Sequence, residues 1–120
     1  MGKQEARGRH ERSRGEERYQ VALTNLTFYL ATRGRPKDRE RALGIGAEVA
    51  KRVDDFENRD SFMINYGFAR LVYADSPQEL DQAIAYLAKT LERKLSELER
   101  EEVMKYMGMG LRRAPWLGAA

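Results

Sequence analysis

Apolar residues recur at intervals of three and four through four successive stretches of this chain, and nowhere do they alternate as a strand requires. Tyr19, Leu23, Leu26 and Leu30 make the first stripe, with Val21, Phe28 and Tyr29 adding apolar surface on a second side. A helix greasy on two sides is contacted twice. Arg33-Gly34-Arg35-Pro36 ends it, because Gly and Pro both interrupt helices. Pro36 opens a second helix, where its missing N–H costs nothing. Leu43, Ala47, Ala50 and Val53 form the stripe of that helix, with Ile45, Val49 and Phe56 beside it. Its small residues Gly46, Ala47 and Ala50 invite close approach by a neighbour, although Gly44 and Gly46 each weaken the helix by about 1 kcal/mol relative to Ala.

After the polar loop Glu57-Asn58-Arg59-Asp60, Asp60 or Ser61 caps a third helix. Phe62, Met63, Tyr66, Leu71 and Tyr73 make it apolar on most sides, and it ends at Asp75. Ser76-Pro77-Gln78-Glu79 is the sharpest local signal: an N-cap, a proline at the first helical position and a glutamate closing a capping box. The helix that follows places Leu80, Ile84, Leu87 and Leu91 on one seam, with Leu95 and Leu98 drifting off it. Either it runs on to about Met107, or Ser96 with Glu99 restarts a fifth helix by the same capping logic. Gly108 and Gly110 are expected to stop it. The expected fold is all-α, a compact bundle of four or five helices spanning residues 19–110.

The ends differ from this middle. Residues 1–18 hold six basic and four acidic residues, three glycines and no large apolar residue after Met1. Such a stretch cannot offset its ordering entropy by burial, and it reads as a flexible basic arm with a soft boundary at the first helix. Residues 111–120 form a short tail in which Leu111, Trp116 and Leu117 surround Arg112, Arg113 and Pro115. Trp116, the single tryptophan, either docks on the core or anchors a partner.

Charge follows the same division. Residues 1–41 hold 11 Lys/Arg against 6 Asp/Glu, residues 42–110 hold 9 against 13, and the tail adds two arginines. Of the 22 basic residues 16 are Arg, a preference that suits phosphate contact and also suits a GC-rich genome. The absence of Cys excludes disulfides, thiolate catalysis and Cys-ligated zinc. No apolar run is long enough for a membrane span, and no apolar segment follows the basic N-terminus to make a secretory signal. A cytoplasmic protein with no membrane partner is expected.

No phosphate loop, dinucleotide fingerprint or nucleophile elbow is present. His10 stands alone, and Asp54, Asp55, Glu57 and Asp60 lack the spacing and glycine of a calcium loop. The expectation is therefore a protein that is not an enzyme and carries no metal or cofactor. Arg33, Arg35, Lys37, Arg39 and Arg41 alternate with other residues over nine positions and make a candidate basic patch for phosphate. Arg33-Gly34-Arg35-Pro36-Lys37 also resembles the core of the AT-hook, a minor-groove peptide, but with a helix on each side and Asp38 and Glu40 close by, a Pro/Gly interhelical turn is the favoured reading. Arg70, between Tyr66 and Tyr73, and the tail pair Arg112 and Arg113 complete the candidate nucleic-acid contacts. Leu91, Leu95, Leu98 and Trp116 are the candidate partner interface.

A net charge of only +3 gains few phosphate contacts alone, so the expected role is an accessory subunit of a larger ribonucleoprotein or DNA-binding assembly. RNA or single-stranded DNA, other protein subunits and further copies of the chain are the expected partners. Phe62 to Ala74 followed by Ser76 to Leu95, a Tyr/Arg-bearing helix joined tightly to a leucine helix, resembles the small helical subunits of CRISPR surveillance complexes. That resemblance implies large backbone subunits and a guide RNA or displaced strand as partners. Two other classes fit the same residues. One is a structural adaptor that self-associates through the leucine seam. The other is a small DNA-binding regulator turning at Asp75-Ser76-Pro77.

Overall fold

A computed structural model describes residues 2–52 and 59–113, and every regular element within them is helical. The order is α1 (Gly2–Arg33), a 3-10 turn (Pro36–Asp38), α2 (Arg39–Ala50), α3 (Arg59–Val72), α4 (Pro77–Thr90) and α5 (Glu97–Arg113). The chain is an all-α bundle. No described helix is long and apolar enough to cross a membrane.

Helix α3 is the hub, because it is apolar on most sides. Phe62, Ile64, Phe68, Ala69 and Leu71 are buried, and Leu87 of α4 and Val103 of α5 are fully enclosed. Enclosing a side chain of that size contributes about 1.5–3 kcal/mol. Phe68 stacks on Tyr106 at 4.4 Å between centroids and meets Phe28 of α1 at 5.6 Å, so three helices share one aromatic contact. Ser76 caps α4 by accepting from Glu79 N at 3.1 Å, and Ser96 caps α5 in the same way, which settles the count at five helices among the described residues.

Four expectations need correction. Helix α1 begins at Gly2 rather than Tyr19. Its first turns are rich in Arg and Glu, which favour helix, and Glu5–Arg9, Arg7–Glu11 and Arg12–Glu16 stand at the supportive spacing of four. The buried stripe of α1 is Gln20, Thr24, Thr27 and Ala31, with Leu30 at its edge, one position on from the expected Tyr19, Leu23 and Leu26. The Thr24 and Thr27 hydroxyls donate to the carbonyls of Gln20 and Leu23 at 2.8 and 3.0 Å, so burial leaves them satisfied.

The stripe of α2 is likewise Ala42, Gly46 and Val49 rather than Leu43, Ala47 and Ala50. A Cβ on Gly46 would run into the Tyr66 ring, so glycine there sets how closely α2 lies against α3. Finally, α5 passes through Gly108 and Gly110 to Arg113. Gly110 is buried, and a Cβ on it would stand 2.6 Å from Leu71 Cδ1. Its role is close helix packing, not termination. Val53, Phe56, Asp54, Asp55, Glu57, Trp116 and Leu117 lie outside the described residues.

A candidate nucleic-acid interface

The bundle brings one set of helix ends together: the C-termini of α1, α3 and α5 and the N-termini of α2 and α4. Seven of the eight basic candidates therefore share that end, and the structure divides them into two groups.

Three are consumed by the fold. Arg33 pairs with Asp38 Oδ2 at 2.7 Å and lies over the Tyr29 ring at 5.2 Å from its centroid. The hydrogen bonds it donates to Tyr29 and Asp38 hold its guanidinium pKa above the usual value. Arg39 donates from Nε to the Tyr73 carbonyl at 3.0 Å and meets Asp75 Oδ2 at 3.1 Å. Its Nη2 reaches both Glu79 oxygens at 2.9 and 3.1 Å. Glu79 accepts in turn from Asp75 N at 2.9 Å, and that bond first, then Arg39, keeps its carboxyl pKa below the ordinary value. Arg113 donates to the carbonyls of Leu71 and Ala74, closing the C-terminus of α3, where a cation also complements the helix dipole.

Tyr73 completes this clasp. Its hydroxyl lies 2.8 Å from Leu30 O and 3.2 Å from Arg35 O, across the turn that Gly34 makes at φ +62. Burial raises the phenol pKa, with the Asp38 charge adding to it. Arg33-Gly34-Arg35-Pro36 is thus a pinned interhelical turn, with one of its two arginines committed to Asp38.

The second group is exposed. Arg35, Lys37 and Arg41 flank the turn, and Arg112 lies in the last turn of α5; among the described residues none has a carboxylate partner. The consumed arginines hold these four at one end of the molecule. Arg70 stands apart on the flank of α3. Its guanidinium lies over Tyr66 and Tyr86 at 5.6 and 5.3 Å. A shallow pocket of 160 Å³ separates it from the Arg39–Glu79 clasp.

The leucine candidates divide as well. Leu91 and Leu95 pack against the core, whereas Leu98 is 79% exposed. Met104 and Leu111 join it as exposed apolar residues of α5.

Charge counting overlooked the opposite end. Arg59, Lys89, Arg93 and Lys94 line an open pocket of 510 Å³ with Asp60, Met63 and Glu92. Arg93 pairs with Asp60. The spacing of four between Lys89 and Arg93 was a visible signal, but Arg59 joins them only through tertiary packing. Among the described residues no three His, Cys, Asp or Glu side chains gather as metal ligands.

The site and the fold define a class, an all-α bundle with a structured Arg-rich end. No family model, curated protein or solved structure matches the chain.

Proposed function

We propose that this chain is a non-enzymatic, nucleic-acid-binding accessory subunit of a larger ribonucleoprotein or DNA-binding assembly. The observation that carries this reading is the division of labour at the Arg-rich end. Arg33, Arg39 and Arg113 are tied to carboxylates and carbonyls, while Arg35, Lys37, Arg41 and Arg112 stand exposed at the same end of the bundle. Exposed guanidinium groups on a rigid support suit the fork geometry of phosphate. Four such contacts give weak binding alone, as befits a subunit whose affinity is completed by its neighbours. The exposed Leu98, Met104 and Leu111 supply apolar surface for a protein neighbour on a different helix. An assembly of the CRISPR surveillance kind, which the α3–α4 pair resembles, is the type in view.

The test is titration with single-stranded RNA, single-stranded DNA and duplex at two salt concentrations. Replacing Arg35 and Arg41 by Ala weakens binding to every sequence alike and lowers the salt slope by about 0.7 per lost contact on a single strand. A complex that ignores salt points instead to an adaptor held by apolar surface. Failure of every oligonucleotide to associate in dilute buffer overturns the reading.

A further inference from the structure

The pocket at the opposite end of the bundle has no part in the reading above. Its wall comes from three stretches: Arg59, Asp60 and Met63 in the first turns of α3, Lys89 in the last turn of α4, and Glu92, Arg93 and Lys94 in the link to α5. Tight local bonds fix that link. Glu92 N donates to Lys89 O and Arg93 N to Thr90 O, both at 3.1 Å, and Leu95 N donates to Arg93 O at 2.9 Å. The Arg93 guanidinium pairs with Asp60 and so ties the link to α3.

That pair consumes one cation and one acid of the lining. Arg59, Lys89 and Lys94 are left, all exposed and, among the described residues, without a carboxylate partner. Glu92 is the one acid left, so three cations stand against one carboxylate, a surplus of two positive charges. A cleft lined by one sign of charge gathers ions of the other sign. Its volume of 510 Å³ falls in the range of about 300–1,000 Å³ usual for small-molecule sites. Half-buried Met63 adds an apolar wall beside the cations.

We infer that this pocket holds a phosphate monoester, the terminal phosphate of a free nucleotide or of a nucleic-acid strand. Near neutral pH a monoester carries a charge of about −1.5 to −2, which matches the surplus, whereas a phosphate within a strand carries only one. Arg59 supplies a planar fork for its oxygens, and the two lysines supply point charges. The Arg93–Asp60 pair holds the two sides of the pocket in place, as the Arg39 clasp does at the other end. The inference does not depend on the Arg-rich end, because a free nucleotide satisfies it without any strand.

The test titrates the full chain with two matched pairs of probes. One is AMP against adenosine. The other is oligo-dT with a 5′-phosphate against the same strand with a 5′-hydroxyl. The phosphorylated member of at least one pair is expected to bind about tenfold tighter. A preference that includes AMP assigns a free nucleotide, and one confined to the oligonucleotide assigns a strand end. Lys89→Ala with Lys94→Ala is expected to weaken the preferred probe about tenfold, the worth of two exposed contacts. Arg100→Ala with Lys105→Ala removes the same charge from exposed sites on α5 outside the pocket and is expected to change it by less than about twofold. Glu92→Gln is expected to tighten binding about threefold. Thermal melts confirm that each variant keeps its fold. If neither phosphorylated probe outbinds its partner, or if the two pairs of substitutions lose equally, the pocket assignment falls. Either result leaves the Arg-rich end untouched, since backbone binding needs no terminal phosphate.

Discussion

The two ends of the bundle carry different numbers of cations, seven against four, and use them differently. At one end Arg33, Arg39 and Arg113 are fastened to Asp38, Asp75, Glu79 and the carbonyls of Leu71, Tyr73 and Ala74. At the other, Arg59, Lys89 and Lys94 stand exposed around an open pocket, and Arg93 is paired with Asp60. Positive charge in a sequence is therefore not the same as positive charge available to a ligand. The acceptors within reach decide the matter. Where α1 and α3 end, orphan carbonyls and nearby acids draw arginines inward.

The largest expected effect that can break this comparison is Arg39→Ala. It leaves Asp75, Glu79 and the Tyr73 carbonyl without their common partner and is expected to destabilise the fold by about 1.5–3 kcal/mol in urea denaturation. A loss no larger than that of a surface residue would mean that the clasp is decorative. Gly46→Ala comes next. Forcing a Cβ against Tyr66 displaces α2, which carries Arg39, and costs about 1–3 kcal/mol. Gly44→Ala, two residues away in open space, is expected to stabilise by about 1 kcal/mol. Thermal melts of the pair give shifts of opposite sign if the packing is as described.

Acid sharpens the contrast further. The Glu79 pKa is depressed on folding, so its stabilisation is present above the ordinary carboxylate value and fades as pH falls through the lowered one. Glu79→Gln is expected to remove that part of the acid sensitivity, read as a flatter melting temperature against pH. The smallest effect belongs to the open end. Lys89→Ala with Lys94→Ala is expected to move stability by no more than about 0.5 kcal/mol.

The caps were legible because Ser76, Pro77, Glu79, Ser96 and Glu99 act locally, through bonds within one turn, although the sequence left the count between four and five helices. Phase was not. In α1 and α2 the spacing of the stripe was right and its position was off by one, in opposite directions. The cause is shared. Thr24, Thr27, Ala42 and Gly46 give a weak apolar signal, yet small residues are what a tight helix contact requires, while bulkier neighbours such as Tyr19 and Leu43 turn partly outward. Gly110 was misjudged for the same reason, since its environment is made by Leu71 and Ile84 from other helices. The candidate site was half legible. That arginines cluster near the first turn can be read from spacing, but which of them are spent depends on Asp75 and Glu79, far along the chain.

The unbroken hydrogen-bond ladder of α1 contains no swivel. The turn that carries Glu16 cannot rotate independently of the turns gripped between α2 and α3, so the direction it faces is dictated from within the core, like the thread of a screw whose head is held. Inserting one alanine between Arg18 and Tyr19 would leave the charge unchanged, yet it would swing Glu16 by about 100° around the helix axis and away from Arg52.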